Sequence, residues 1–502
     1  MPDYMFMLES RLSPEQRAAL LRVQELAAAI GANVYLTGGT VRDLISGASL
    51  RDLDFAVEGN PSRIARELEK GGAKVLSEDE RLRQIEVIFA GDCDGSLSAA
   101  RDDVYPRPGA KPETHWSTIM EDLRRRDFSV NAIAISLNSA SRGLLLDPTN
   151  GLGDLEKREI RALSIHSFTN QPVRLLRALR YAARLDFKLE SRTAEWFALA
   201  MERDLHHGIT PEEAATELRN VAREERPAPV LKAWEARGLI EVIHPQLARR
   251  HPDYEAIARL VQVRGGLIAE GLRPRIAGPM AAAILGHLRP REQGAALSRM
   301  GFRQIELEEI LHVGRNAEKA AKALAGARTT APIDGFRFIE KLSAGQVACI
   351  LAKSSNSRAI ARIRTYLRKW RPIRLALPGV VVELERLGVP RGPKFDSVVE
   401  DLFALQLSGK GRTPEERVRL LRKLAGIKEP PKKKVKEEKK KPVKGREKKA
   451  AHAAILAAQE KKGNGSPASK TRTAAGGRHK PAKNPTAKGT GKSGHGPAKR
   501  KR

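Results

Sequence analysis

The sequence predicts an α+β protein with a strand-bearing N-terminal part, a long helical part and a Lys-rich C-terminal extension. Three observations predict it. Residues 33–36 form a strand-like run closed by Gly38-Gly39, and residues 52–55 alternate charged with apolar side chains, as a strand covered on one face does. From about residue 193 to 426, apolar groups recur at helical spacing in residues 214–223, 230–243, 305–313 and 418–424, and Pro and Gly interrupt the pattern between them. From residue 428 onward, Lys, Gly, Pro and Ala replace large apolar residues, a composition that predicts disorder rather than another core.

In chain order, residues 1–29 read as an N-terminal helical segment. After the run at 33–36, two glycines let the backbone turn tightly and approach a ligand with no Cβ in the way, and the chain from Val41 looks helical. A strand, a Gly-Gly turn and a helix N-terminus set backbone N–H groups and a positive dipole end beside bound phosphates, so Gly38, Gly39 and Arg42 form a candidate phosphate grip. In Arg51-Asp52-Leu53-Asp54-Phe55, alternation turns Asp52 and Asp54 to one face. Two carboxylates at i and i+2 can share hard cations, and Mg²⁺ bridging such a pair to substrate phosphates is the arrangement of two-metal nucleotidyl transfer. Alone, Asp-x-Asp reads as a solvated strand end and Gly-Gly as a turn. Their order and closeness favour a nucleoside-triphosphate site with Asp52 and Asp54 as metal-holding catalytic residues. No third carboxylate is assigned among Glu86, Asp92 and Asp94. Residues 101–115, rich in Pro, Gly and charge, read as a loop.

The segment Gly38-Gly39-x-Val41-Arg42-Asp43 followed by Asp52-x-Asp54 resembles motif A of the class II tRNA nucleotidyltransferase and bacterial poly(A) polymerase family, within the polymerase-beta-like nucleotidyltransferases. Further motifs follow in family order. Residues 121–132, with Arg125-Arg126-Asp127-Phe128-Ser129-Val130-Asn131 at their centre, resemble motif B, which implies ribose recognition by Arg126, Asp127 and Asn131. Asp147-Pro148-x-Asn150-Gly151-x-x-Asp154 resembles motif C, a joint between head and neck, and residues 174–184 resemble the helix of motif D. The likeness covers residues 30–245, loosely including Glu217-Leu218. It implies a mixed-sheet nucleotidyltransferase head at 30–160, an all-helical neck at 161–245, a helical body and tail at 246–427, and the extension at 428–502. It also likens residues 101–115 to the loop that helps the family switch from C to A addition.

Arg174, Arg177, Arg180 and Arg184 recur at helical spacing opposite Leu175, Leu176, Leu179 and Ala183, which predicts a cationic stripe free to meet an anion. The resemblance implies that Arg174 reads the base edge while Arg177 and Arg180 hold the nucleotide. One departure stands out: the family usually carries two acidic residues where this chain has Asn170-Gln171, so its base-reading aspartate is Gln171 here. Glutamine keeps a carbonyl acceptor, adds amide donors and can flip, which predicts retained activity with altered base fidelity.

The formal charge is +31, of which residues 428–502 supply +20 from 25 basic and 5 acidic side chains. Such an extension is expected to bind RNA phosphates nonspecifically and salt-sensitively, or to act only as a solubility tail. Two cysteines without a metal or disulfide pattern, the lack of a basic-then-apolar leader and the lack of a long apolar run lead to the expectation of a cytoplasmic protein without a membrane span. His206-His207 reads as a polar helix end.

The resemblance implies an enzyme that adds CCA to tRNA 3′ ends from CTP and ATP, without a template and with Mg²⁺ at a two-metal site. The alternatives are a poly(A) polymerase, a relative adding only CC or only A, and a catalytically silent RNA-binding protein. Oligomeric state is not legible.

Overall fold

The alternation at residues 52–55 extends across a seven-stranded mixed sheet in the computed structural model, which describes residues 3–427. The Lys-rich extension, with its expected disorder and RNA affinity, lies outside the described residues. The strands are β1 (Asn33–Thr37), β2 (Leu53–Glu58), β3 (Lys74–Asp79), β4 (Gln84–Phe89) and β5 (Cys93–Ala99) and, after a separate hairpin of β6 (Arg101–Val104) and β7 (Glu113–Trp116), β8 (Ala134–Ser136) and β9 (Leu145–Leu146). Their spatial order is β3-β4-β5-β2-β1-β8-β9. The β2–β5 pair is parallel and the other neighbours are antiparallel.

Register fixes what each face carries. Leu36 lies opposite Phe55, Phe55 opposite Leu97, and Leu97 opposite Ile85, so these buried side chains form one apolar row across four strands. The helices α1 (Tyr4–Arg11) and α2 (Pro14–Ala29) precede the sheet, α3 (Gly38–Ser46) follows β1, and α4 (Pro61–Lys70) follows β2. Helices α2 and α4 pack on each other and on the sheet, and their buried side chains join the core of the apolar row. One residue out of phase, Asp54, Ser96 and Glu86 lie opposite one another on the other face. Period-two geometry therefore buries the core and presents the carboxylates with the same three strands.

Residues 101–115 are not a loop throughout. Arg101 pairs with Trp116 and Val104 with Glu113, leaving residues 105–112 as the connection. Pairing was hidden because β6 and β7 are largely polar, so no alternation marks a covered face. The helix α5 (Ile119–Arg124) then leads to the Arg-Arg-Asp segment. The helix α6 (Gly151–Lys157) begins where both Asp147 carboxylate oxygens accept from the backbone N–H groups of Gly151 and Leu152, at 2.7 and 2.9 Å. Only glycine fits at 151, because a Cβ there would come within 2.2 Å of the Ser129 carbonyl oxygen. Asp147 and Gly151 of the motif C segment thus start a helix tightly against the motif B segment.

The rest is helical with one exception. The helices α7 (Ser167–Asn170), α8 (Arg174–Leu185), α9 (Ser191–Glu202), α10 (Pro211–Arg223) and α11 (Pro227–Glu235) lead into a helical run that ends with Pro414–Ala425. The exception is β10 (Glu159–Ile160) beside β11 (Lys188–Leu189), a short parallel pair across the expected 160/161 boundary. A capping box of Thr210 and Glu213 starts α10, and the buried Trp234 of α11 donates to the Leu176 carbonyl of α8 at 3.0 Å. The periodicity over 230–243 breaks at Gly238, whose φ of 71° turns the chain into a 3₁₀ turn. Among the described residues no helix is long and apolar enough to cross a membrane.

Candidate active site

The turn between β1 and α3 sets Gly38 and Gly39 of the candidate phosphate grip beside the second carboxylate. Gly38 has φ 64°, a left-handed conformation that side-chain-bearing residues rarely adopt. A Cβ on Gly38 would lie 3.5 Å from an Asp54 oxygen and 3.5 Å from the Arg126 Nη1, and one on Gly39 would lie 3.4 Å from the same Asp54 oxygen. Bare backbone thus faces Asp54, with the Arg126 guanidinium beside it. Thr40 pins the two segments together, its hydroxyl donating to the Asp52 carbonyl at 3.1 Å and accepting from the Asp54 N–H at 2.8 Å. Ser96 donates to the Asp54 carboxylate at 2.8 Å. Glu86, two strands away and exposed, is about 10 Å across the sheet by ordinary strand spacing.

Burial, and then the Asp52 carboxylate, push Asp54 up to about 7, while the Ser96 hydrogen bond and the Arg126 and Arg42 charges pull it back. Two carboxylates on one face, one of them disfavoured as an anion by the other, are a donor set suited to a hard divalent cation. The sign of the effect on stability follows. A carboxyl with a raised folded-state value costs the fold nothing below its unfolded value near 4, and the full penalty applies above about 7. Without divalent cations, Asp54→Asn is expected to be more stable than the parent at pH 8, by about 1–3 kcal/mol, and to lose that advantage toward pH 5. Urea midpoints at the two pH values check this, and an equal difference at both would contradict it. Added Mg²⁺ should raise the parent's midpoint more than the variant's.

The arginine stripe of α8 is not a free cationic face, and the expectation is corrected here. Arg177 meets Asp127 at 3.0 Å and Glu217 at 3.3 Å; Arg180 meets Glu217 at 2.8 Å and Glu224 at 3.3 Å; Arg184 meets Glu224 at 3.8 Å and also Asp43. Asp43 in turn holds Arg42, whose Nη1 donates to the Asn131 side-chain oxygen at 2.6 Å, and Asn131 donates to Asp127 at 3.3 Å. The contacts close into a ring that joins the sheet-bearing part, α8 and α10. The Tyr181 ring lies against it, with the guanidinium carbons of Arg42 and Arg180 at 5.1 and 4.6 Å from its centroid. Arg42 and Arg180 are 1% and 5% exposed, so each is committed inside the fold rather than offered at a surface. The periodicity of the stripe was legible, but its carboxylate partners sit 37 to 44 residues further along the chain for Arg180 and 141 residues back for Arg184.

Burial opposes the charge on Asp127, yet Arg177 and Arg174 hold its carboxyl below the usual range; Asp122 behaves likewise between Arg126 and Arg125. Arg126 donates to Asp122 at 2.7 Å and to the Asn131 carbonyl at 3.0 Å. Thus the structure gathers Gly38, Gly39, Asp54 and Arg126 in one cluster, Asp52 beside it, and Arg42, Asn131, Asp127, Arg177 and Arg180 in the ring. Gln171 stands apart, half-buried at the end of α7, its backbone carbonyl accepting from the Arg174 N–H at 3.0 Å. Arg174 is 7% exposed, donates to the Ser167 hydroxyl at 2.9 Å, and leaves its Nε buried without a partner. Thr40, Asp43, Ser96, Asp122 and Glu224 carry much of this geometry; Asp43 and Asp122 lie in or beside the motif A and B segments without a role assigned to them, and Thr40, Ser96 and Glu224 gave no signal of their partners.

The poly A polymerase head domain family matches residues 34–161, a span that includes the Gly-Gly turn, both aspartates and the Arg-Arg-Asp segment. An A-adding tRNA nucleotidyltransferase of Geobacter sulfurreducens is 25% identical over 426 residues, which is 83% of this chain and 48% of that protein. A CC-adding tRNA nucleotidyltransferase of Deinococcus radiodurans is 34% identical over 238 residues, 46% of this chain and 61% of that protein. Residues 34–161 are thus similar to a poly A polymerase head domain, and the chain is similar to A-adding and CC-adding tRNA nucleotidyltransferases. The chain spans about half the length of the Geobacter relative. A solved structure of a CCA-adding enzyme, apo form II, aligns over 85% of this chain and 99% of its own with 25% identity and a TM-score of 0.45.

Proposed function

We propose that this protein is a template-independent tRNA nucleotidyltransferase that adds CCA to tRNA 3′ ends from CTP and ATP. The observation that carries the reading is the bare Gly38-Gly39 backbone against Asp54, with Arg126 at its edge. Asp52 and Asp54 would hold Mg²⁺, which supplies positive charge at the triphosphate and at the attacking oxygen when bound. The remaining work falls to the chain. Gly38 and Gly39 let phosphate oxygens approach main-chain N–H groups, and Arg126 adds a charged donor beside them. Arg42, from inside the ring, fixes Asn131, which with Asp127 and Arg126 borders the ribose; Arg174 reads the base edge. Arg177 and Arg180 act on the nucleotide by holding Asp127 and α10 in place. The RNA 3′-oxygen bonds to the α-phosphorus, the bond from that phosphorus to the β-phosphate oxygen breaks, and pyrophosphate leaves with its electron pair. The 3′-hydroxyl proton passes to solvent.

The compartment proposed is the cytoplasm, where the two buried, unpaired cysteines would stay reduced. Partial addition is the second reading, favoured by the A-adding and CC-adding names of its relatives. The test incubates the full chain with Mg²⁺ and tRNAs ending before, within or just short of CCA, offers each nucleotide alone and together, and sequences the 3′ ends. Termination at CCA is the expected result. A stop after CC, or addition of A only to ends already carrying CC, supports the second reading; long A tracts or no addition overturn both.

A further inference from the structure

The β6–β7 hairpin brings a residue to the base-reading arginine that no motif names. Its root is clamped: Asp103 pairs with Arg101 at 2.9 Å and with Arg125 at 2.8 Å, while the Arg125 Nε donates to the Arg101 carbonyl at 2.8 Å. The Arg125 carbonyl in turn accepts from Arg174 at 3.5 Å, so one residue touches both the hairpin and the arginine. Two positions beyond Asp103, the Tyr105 hydroxyl is sealed from solvent with no hydrogen-bond partner, as is the Arg174 Nε. The two groups act on each other electrically. Burial pushes the Tyr105 phenol up, and Arg174 is the strongest of the charges opposing it. A lone orphaned atom can be a packing accident. Two orphans of complementary type, joined through Arg125 and close enough for the charge of one to act on the other, describe a place prepared for a third polar group.

On their Watson–Crick edges, cytosine and adenine share one feature that uracil and guanine lack there: a ring nitrogen that accepts, next to an exocyclic amine that donates. The Arg174 Nε–H suits the ring nitrogen. The phenol oxygen of Tyr105 suits the amine, since it carries lone pairs as well as its proton and the guanidiniums of Arg174, Arg125 and Arg101 act against that proton while burial and Asp103 act for it. Gln171, standing where the family carries a carboxylate, can present either an oxygen or an amide nitrogen and so discriminates less on its own. We propose that Tyr105 supplies the acceptor that selects C and A over U and G, working with Arg174 in place of the missing acidic reader. This rests on the nucleotidyltransferase reading above.

The test compares the full-length parent, Tyr105→Phe, Gln171→Asp and the double variant. Single-turnover incorporation of each of the four nucleotides onto tRNA ends with Mg²⁺ is measured, together with equilibrium binding of each nucleotide. Tyr105→Phe should lower the preference in kcat/KM for C and A over U and G by about fivefold to tenfold, a tenfold change being about 1.4 kcal/mol. The loss should lie mainly in a raised KM for CTP and ATP, and Gln171→Asp in the same protein should restore the preference. An unchanged preference in Tyr105→Phe, or an equal loss for all four nucleotides, overturns the proposal. If the parent transfers nothing to any RNA, the activity reading fails and binding decides: selective binding by the parent but not by Tyr105→Phe sustains the role of Tyr105, and any other binding result overturns it.

Discussion

Asp52→Ala and Asp54→Ala are each expected to abolish nucleotide transfer, with a loss of about 10⁴-fold or more, while the protein stays folded. The two expectations arise from the same chemistry. Under the proposed metal assignment, removing either carboxylate would take away a charged ligand that the neutral hydroxyls of Ser96 and Thr40 cannot replace. At the same time it removes either the burial penalty on Asp54 or the Asp52 repulsion that adds to it, and these together outweigh the Ser96 hydrogen bond and the Arg126 and Arg42 charges that favour the carboxylate. Single-turnover transfer with Mg²⁺, alongside a thermal melt, measures both. Full activity in either variant would refute the metal assignment, and an unfolded variant would refute the claim that the pair is a liability to the fold.

Glu217→Ala should cost stability on the scale of a broken buried ion pair, about 3–5 kcal/mol. Glu217 is fully buried and accepts from Arg180 at 2.8 and 3.4 Å, from Arg177 at 3.3 Å and from Asn220 at 3.2 Å. Its removal strands Arg180, itself 5% exposed, with one carboxylate instead of two. Burial works against the charge of Glu217, but Arg180 and Arg177 outweigh it and hold the carboxyl below its usual value. That stability is therefore present above the unfolded value and lost as pH falls through the folded one. Glu217→Gln, which keeps the shape and part of the bonding, should lose less than alanine and should blunt the parent's destabilisation in acid. Urea midpoints from pH 7 downward measure both effects, and an alanine variant within about 0.5 kcal/mol of the parent would show that the ring bears no strain.

Legibility followed the range of the interactions. The Gly38-Gly39 turn, the alternation around Asp54 and the helices over 214–223 and 418–424 were readable because each is fixed by neighbours a few residues away. The hairpin of β6 and β7 was not, since its strands carry charge on both faces and pairing leaves no imprint on their composition. Arg177, Arg180 and Arg184 show the limit most sharply. Their spacing announced one helix face, but whether that face meets solvent, a ligand or carboxylates depends on Asp43, Asp127, Glu217 and Glu224, which periodicity within a single helix cannot locate. Tyr105 was passed over for the same reason: its meaning comes from the orphaned Nε of Arg174, 69 positions away by sequence number.

The ring also changes where the attraction for a triphosphate resides. Its four guanidiniums, on Arg42, Arg177, Arg180 and Arg184, are matched by four carboxylates, on Asp43, Asp127, Glu217 and Glu224, so the assembly is electrically neutral despite a helix that reads as strongly basic. A neutral circuit exerts little pull at a distance. Under the proposed function, the pull on an anionic nucleotide would fall instead to a cation held by Asp52 and Asp54, to Arg126 and to the start of α3, so that nucleotide capture would depend on metal being loaded first.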